Sequence, residues 1–149
     1  MRPIEFAMAM KYFQYDNRTM IIRKQPNLHG IGICTAIQDY ARANNVECVV
    51  INLATCDDFF LHELDALITF RQGKNFVCVF DFTGGCSKPD SSLKEHLMQL
   101  LIHREHNGFK IPDNVKVVIY DNILEGKEYE RINFDVALFD KCFVCKIEE

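Results

Sequence analysis

Nearly continuous apolar runs alternate along this chain with longer segments of helical periodicity, and this alternation restricts the fold more than any other feature. The runs at 47–53 and 76–81 are apolar at almost every position. Such runs are typical of parallel strands that are covered on both faces. Because helical segments of about 10 to 15 residues separate them, we expect a mainly parallel sheet. The sequence therefore predicts a three-layer α/β sandwich, with helices on both faces of a five-stranded sheet.

The same periodicity predicts the individual elements. The last predicted helix has a capping box, Ser92 and Glu95, at its start, and Asn107-Gly108 supplies a left-handed stop. The other predicted helices are 4–14, 33–43 and 57–70, and the predicted strands are 19–23, 47–53, 75–81, 115–120 and 142–147. No repeat, linker or low-complexity tract divides the chain, so we expect a single domain over residues 1–149.

Charge and hydropathy restrict the partners of the chain. Its 149 residues carry 17 basic and 21 acidic side chains, a net charge of −4, and the basic residues are scattered. We therefore predict no nucleic-acid partner, since binding to phosphates depends on clustered cations. No apolar stretch approaches the roughly 18 residues that span a bilayer, and the first residues do not resemble a secretion signal. We expect a cytoplasmic protein with no membrane partner.

Seven cysteines are present, at positions 34, 48, 56, 78, 86, 142 and 145. We expect reduced thiols, several of them in the core. Cys142 and Cys145 form a CxxC pattern, but residues three apart in a strand point to opposite faces, which disfavours a metal or redox site. A Cys₂His₂ set with His103 and His106 is the alternative, although a solvated helix end explains both histidines. We predict no metal site.

The segment after the first strand has the position and nearly the length of a phosphate-binding loop, G-x-x-x-x-G-K-[ST]. Asn27 replaces the first glycine, and Ile33 replaces the lysine with an apolar side chain where phosphate oxygens would sit. Gly30 and Gly32 remain, and Thr35 offers a hydroxyl. Backbone amides can hold an anion unaided, but the lysine is the charge that meets the β- and γ-phosphates. Tight ATP binding is therefore disfavoured.

A carboxylate ends the predicted strand at 75–81. Asp81 stands where a P-loop enzyme holds Mg²⁺, but Phe82 follows it in place of a glutamate that orients the attacking water. Asp81 has a second interpretation as the cap of the turn that begins at Thr83. We favour the turn, because a magnesium ligand alone, without the lysine that contacts the phosphates and the glutamate that orients the attacking water, does not make a hydrolytic site.

The C-terminal half of the chain carries a more specific pattern. Residues 107–115 read NGFKIPDNV, Asn122 follows a strand, and residues 135–143 read DVALFDKCF. Residues 93–147 resemble the MoxR-like branch of the AAA+ ATPases, and the N-terminal half matches more loosely. The resemblance implies a P-loop NTPase fold with the strand order 5-1-4-3-2.

Carried over position by position, the resemblance implies the remnants of a nucleotide site. Residues 27–35 become the remnant of the Walker A loop, with Cys34 at its serine or threonine position. Asp81 becomes the Walker B remnant, and Asn122 becomes the sensor asparagine. Lys141 stands where the family has the arginine that completes a neighbouring subunit's site, and lysine lacks the bidentate fork of arginine. The chain ends where family members continue into a helical lid, so the resemblance describes a lid-less, inactive core.

Two functions follow as expectations. The first is a catalytically inactive AAA+-like module that needs no cofactor, suits a phage protein, and regulates or inhibits a protein partner. Another AAA+ ATPase is one candidate for this partner, and a second copy of the chain is another. The second is a residual nucleotide-binding protein or weak NTPase that holds ATP or ADP with Mg²⁺ through the loop glycines, Thr35 and Asp81. In this case Lys24 or Lys88 substitutes for the lost lysine.

Overall fold

The computed structural model describes seven stretches of the chain, which are residues 2–13, 18–25, 31–52, 73–81, 100–106, 108–122 and 141–147. The helices are α1 (Pro3–Phe13) and α2 (Ile31–Ala43), and residues 100–103 are also helical. The strands are β1 (Met20–Lys24), β2 (Glu47–Asn52), β3 (Phe76–Asp81), β4 (Glu105–His106), β5 (Phe109–Lys110), β6 (Val115–Asn122) and β7 (Phe143–Ile147). No helix within these stretches is long and apolar enough to cross a membrane.

Five of the strands form one parallel sheet. Their order is β2-β3-β6-β1-β7, and each neighbouring pair is parallel. These strands are the second, third, fourth, first and fifth predicted strands, and this order read in reverse is the predicted order 5-1-4-3-2. The predicted α/β class and strand order are therefore confirmed. Parallel neighbours require crossover connections, and α2 is the helix between β1 and β2. The predicted helix at 57–70 and the capping box of the last predicted helix lie outside the described residues.

One apolar cluster joins α1 and α2 to the sheet. Each helix contributes side chains three or four residues apart, which places them on one face of the helix. The cluster includes Phe6, Met10 and Phe13 of α1, Ile33, Ile37 and Tyr40 of α2, and Ile22, Val79 and Val118 of the strands, none more than 8% exposed. Because burying one such side chain stabilises by about 1.5–3 kcal/mol, this cluster is the main attachment of both helices.

The two strands with the most continuous apolar runs lie in different environments. β3 is buried on both faces, with each residue from Phe76 to Phe80 at most 3% exposed, as its sequence predicts. The same prediction for β2 is wrong, because β2 is an edge strand. Its described side chains are all half-buried or exposed, and Val50 is 57% exposed. An apolar run does not distinguish a central strand from an edge, since only the crossovers decide the strand order.

The prediction that Asn107-Gly108 stops a helix is also wrong. The helical segment ends at residue 103, and Arg104 adopts a φ of 62° directly after it. β4 and β5 then pair antiparallel around a connection that contains Gly108 at a φ of 80°. Asn-Gly is favoured both at helix ends and in two-residue hairpins, because both require left-handed backbone. The dipeptide alone therefore cannot select between the two structures.

Arg104 attaches this hairpin to the start of β6. Its guanidinium donates hydrogen bonds to the backbone carbonyl oxygens of Pro112 and Val115, at 2.8 and 2.6 Å. The amide of Ile111 donates in turn to the carbonyl oxygen of Arg104, at 2.8 Å. A charged donor that satisfies two backbone carbonyls fixes the path of the chain between the hairpin and the strand.

The end of α2 yields the first testable prediction. Asn45 has a φ of 54°, its amide donates to the carbonyl oxygen of Arg42, and the amide of Val46 donates to that of Ala41. These two bonds define a Schellman motif, which favours glycine at the left-handed position. We expect Asn45→Gly to raise the free energy of unfolding by about 0.5 kcal/mol and Asn45→Ala to lower it by about 1 kcal/mol. Urea unfolding of both variants checks the order, and equal stabilities would contradict the motif.

Candidate functional site

The carboxyl edge of the sheet brings several predicted site residues together. β1 ends at Lys24, and its register partner in β6 is Asn122, the predicted sensor asparagine. β3 ends at Asp81, which is paired with Tyr120 of β6. α2 comes next after β1 along the chain, so its first turn lies at this same edge. Ligands of parallel α/β sheets bind at such an edge.

The side chain at the expected lysine position lies in the core. Ile33 is fully buried and belongs to the cluster that contains Ile22 and Val79. It is the third residue of α2, and the buried residues Ala36 and Ile37 follow it at helical spacing. The expectation that Ile33 occupies the space of phosphate oxygens is therefore corrected. Its side chain faces the sheet and contributes to folding.

Its neighbours in the first turn of α2 face outward. Gly32, Cys34 and Thr35 are exposed. Partial burial raises the pKa of the Cys34 thiol, and the negative charge of Asp81 raises this pKa further. The two side chains are therefore close enough for charge to act between them. They are the residues that the resemblance assigns to the Walker A hydroxyl position and to the Walker B carboxylate.

Tyr120 belongs to this edge, and sequence reasoning missed it. It is 4% exposed and lies between its register partners Asp81 and Ile22. Burial raises the pKa of the Tyr120 hydroxyl, and the charges of Cys34 and Asp81 raise it further. The phenol therefore remains a hydrogen-bond donor at neutral pH. Only the strand register reveals this residue, because the sequence shows it as one more apolar position in a strand.

Lys24 places a cation at the same edge. The residue is only 7% exposed, and its ammonium donates to the backbone carbonyl oxygen of Gln25 at 3.3 Å. Lys24 is one of the two lysines considered as substitutes for the P-loop lysine. The other, Lys88, lies outside the described residues.

The remaining predicted positions are described in part. Asn27, Gly30 and Phe82 lie outside the described residues, and Asn122 is the last residue of β6. Lys141 is exposed just before β7. The described part of the edge thus holds an ammonium, a carboxylate, a phenol and a protonated thiol. A thiol with a raised pKa is a weak nucleophile and a poor metal ligand, so this arrangement favours binding over covalent chemistry.

The cysteines of the CxxC pattern belong to the core. Cys142 lies directly before β7 and Cys145 lies within it, and they are free thiols, 4% and 1% exposed. Burial raises the pKa of each thiol to about 11. Within the described stretches, no group of three or more His, Cys, Asp or Glu side chains could hold a metal ion. The structure thus gives both residues the properties of small apolar side chains.

The raised pKa values of these two thiols predict that the free energy of unfolding decreases at alkaline pH. Each thiol has a pKa of about 11 in the folded state and about 9 in the unfolded state, so between these pH values the unfolded chain loses its thiol protons first. The free energy of unfolding is therefore unaffected by these thiols below about pH 9 and decreases as the pH rises towards 11. We expect the free energy of unfolding to fall by roughly 2 kcal/mol or more over this range. Urea unfolding at pH 8, 9.5 and 11, with a reductant, measures the fall. Cys145→Val, which cannot ionise, should show a smaller fall, and an equal fall in both proteins would contradict the account.

Comparisons with known proteins find similarity in structure only. No protein-family model and no curated protein sequence matches the chain. A structure of Drosophila ORC bound to poly(dA/dT) DNA and Cdc6 superposes with a TM-score of 0.52 at 10% identity, over 97% of this chain and 27% of the matched chain. A structure of Drosophila ORC bound to AT-rich DNA and Cdc6 gives 0.50 at 8% identity, over 97% and 55%. The chain thus spans about a quarter to a half of the chains it matches, and ORC is an AAA+ ATPase. The likeness supports a P-loop/AAA+-like fold for this chain.

An AAA+-type fold agrees with the expected P-loop NTPase architecture and with the strand order of the sheet. It also corrects one prediction about partners. The exclusion of nucleic acid, which rested on the net charge and on the scattered basic residues, is wrong as a general exclusion, because the ORC structures of this fold contain DNA. A net charge of −4 is a sum over the whole chain, whereas phosphate contacts depend on where individual cations lie.

Proposed function

We propose that this chain is an AAA+-like protein-interaction module without nucleotide hydrolysis. The proposal rests on the complete burial of Ile33, which stands where a phosphate-binding loop has its lysine. Because the Ile33 side chain packs in the core, a lysine at this position would destabilise the fold, both by losing apolar packing and by burying a charge. Phe82 replaces the glutamate that would activate water. The residues that support the fold are retained, whereas the lysine that meets the phosphates and the glutamate that activates water are substituted.

The proposed partner is another protein, with an AAA+ ATPase as the first candidate. We assign the chain to the MoxR-like branch from the NGFKIPDNV and DVALFDKCF segments. Lys141 is exposed at the position of the family's arginine, where it offers a neighbouring chain a charge without the bidentate fork. The ORC structures, which are complexes with Cdc6, support a fold used in protein assemblies. The free thiols fit a reducing compartment such as the cytoplasm.

DNA is a second partner class within the same proposal. Its support is the presence of AT-rich DNA in the ORC structures. Fluorescence anisotropy of a labelled AT-rich duplex at low and physiological salt tests this class directly. Binding that weakens steeply with salt would show contacts to phosphates, since each contact releases condensed counterions.

A residual nucleotide-binding function is the alternative, and specific observations favour it. The charge of Asp81 acts on the Cys34 thiol and raises its pKa, and these two residues stand at the positions that the resemblance gives to the Walker A hydroxyl and the Walker B carboxylate. Lys24 supplies a buried ammonium at the end of β1. Together with the first turn of α2, these groups could hold an anion and a metal ion weakly.

Isothermal titration with ATP and with ADP, each with Mg²⁺, separates the two functions. The module predicts no saturable heat up to about 1 mM nucleotide. A dissociation constant below roughly 100 μM, which corresponds to about 5.5 kcal/mol, would overturn it. Asp81→Asn is the decisive variant if binding is found. A nucleotide site would lose its dependence on Mg²⁺ in this variant, whereas heat from nonspecific binding would be unchanged.

A further inference from the structure

A groove of about 560 Å³ lies between α1 and α2, and we call it the helix groove. Small or apolar side chains from both helices line it, among them Ala7, Met10, Ala36 and Ala43. Alanine at three of these positions leaves open the space that larger side chains would fill. Since pockets for small molecules have volumes of about 300–1,000 Å³ and mainly apolar walls, the helix groove suits the apolar part of a small ligand.

A second cavity, of about 330 Å³, lies at the amino edge of the sheet, where β3 and β6 begin, and we call it the amino-edge cleft. Its lining is more polar and includes the side chains of Asn75, Asn114 and Lys116. Tyr40 and Asn44, near the end of α2, line both the cleft and the helix groove. The two cavities therefore meet at these residues, and one ligand can occupy both.

The hydroxyl of Tyr40 is a buried polar group at this junction. Tyr40 is 8% exposed, and the centroid of its ring lies 5.7 Å from that of Phe13. Within the described stretches, Asn44 bonds to the backbone carbonyl of Tyr40, and no hydrogen bond involves the Tyr40 hydroxyl. Burial raises the pKa of this hydroxyl, which therefore remains a donor at neutral pH. Because buried donors in folded proteins are almost always hydrogen-bonded, this one calls for an acceptor from outside the chain.

We propose that the helix groove and the amino-edge cleft together bind a small amphipathic carboxylate. Its apolar body occupies the helix groove, and its carboxylate accepts a hydrogen bond from the Tyr40 hydroxyl where the two cavities meet. This site is at the opposite edge of the sheet from Asp81 and requires no nucleotide.

The charge of the ligand follows from the ionised groups around the two cavities. The ammonium of Lys116 lies 4.8 Å from the centroid of the Phe13 ring, which packs against Tyr40, so a half-buried cation lies near the hydroxyl. In the described part of the lining, the carboxylates are Asp39 and Asp113, and both are exposed. Water and salt screen exposed charges more than half-buried ones, so the interior of the site favours an anionic acceptor.

Titration of the ¹⁵N-labelled full chain with decanoate, followed by ¹H–¹⁵N correlation spectra, tests the site. We expect saturable shifts of the amide signals of Ala36, Tyr40 and Asn44, with a dissociation constant below about 1 mM. Decyltrimethylammonium, which carries the opposite charge on a chain of the same length, should bind about tenfold more weakly or less. The absence of saturable shifts up to about 5 mM decanoate would overturn the proposal. Equal affinities for the two probes would contradict a carboxylate as the ligand group.

Tyr40→Phe removes the proposed donor and keeps the aromatic ring. We expect this variant to bind decanoate about tenfold more weakly, while urea unfolding of the ligand-free protein shows no loss of stability, because the hydroxyl has no partner to lose. Tyr12→Phe is the matched control, since it removes a hydroxyl from a residue of α1 that is 70% exposed, and its affinity should be that of the wild type. Equal affinities in all three proteins would overturn the proposal. So would a loss of stability in ligand-free Tyr40→Phe, which would show that the hydroxyl is already paired.

Ala43→Leu tests the helix groove independently of the hydroxyl. Ala43 is exposed at the end of α2, so the larger side chain can enter the groove without disturbing the core. We expect decanoate to bind at least about tenfold more weakly. Gln38→Leu, at an exposed position of α2 outside the described lining, adds a similar apolar side chain and should leave the affinity unchanged. Equal affinities in the two variants would contradict the groove as the binding site. No step involves nucleotide, so a failure here leaves the proposed function unaffected.

Discussion

Ile33→Lys is expected to destabilise the protein by about 3–5 kcal/mol, although it restores the lysine of the phosphate-binding loop pattern. The residue is fully buried in the cluster that joins α2 to the sheet. Replacing it removes an aliphatic side chain from the core and buries an ammonium among apolar groups. The loss is a large fraction of the roughly 5–15 kcal/mol that stabilises a typical domain. Urea unfolding followed by circular dichroism measures it.

Thr35→Lys is the matched control for this variant. Thr35 lies two residues further along α2 and is exposed. Both variants add a positive charge near the start of the helix and share its unfavourable interaction with the helix dipole. We expect Thr35→Lys to cost no more than about 1 kcal/mol. Equal stabilities, together with ATP binding by Ile33→Lys, would show that position 33 faces a phosphate site.

Phe13→Ala should lower the free energy of unfolding by about 3–5 kcal/mol. The ring of Phe13 is fully buried, and its centroid lies 5.7 Å from that of Tyr40 in α2. The ammonium of Lys116 lies 4.8 Å from the ring centroid and donates to the Phe13 carbonyl oxygen at 2.9 Å. The ring therefore connects both helices with the sheet, and its loss leaves a cavity among all three.

Tyr12→Ala provides the control for this aromatic position. Tyr12 is the preceding residue of α1 and is 70% exposed. Its removal should change the free energy of unfolding by no more than about 0.5 kcal/mol. Equal losses in Tyr12→Ala and Phe13→Ala would contradict the packing of α1 against α2.

Local sequence pattern was sufficient for the class of fold and for most element positions. β1 and α2 lie within two residues of their predicted bounds, because apolar spacing reports directly on helix and strand periodicity. The edge position of β2 was not predicted. An edge strand and a central strand have the same apolar composition here, and only the long-range order of the strands separates them.

The nucleotide-site roles of the candidate residues stay predictions, and the structure corrects the placement of one of them, Ile33. The negative charge of Asp81 raises the pKa of the Cys34 thiol, so the two residues lie at the same edge of the sheet. Alignment with a loop pattern could not show that Ile33 faces the core, because this depends on where α2 begins. Tyr120 was missed for a related reason, since its proximity to Asp81 follows from the pairing of β3 with β6.

The most direct test of the central claim is a pair of ¹H–¹⁵N correlation spectra of the wild-type chain, recorded without nucleotide and with about 2 mM ATP and Mg²⁺. This concentration would saturate most of any site with a dissociation constant below roughly 100 μM. The account predicts unchanged amide signals for Gly32, Cys34 and Thr35, in the first turn of α2. Saturable shifts of these signals, with changes at Asp81 in the same titration, would show that the nucleotide site is functional and would contradict the account.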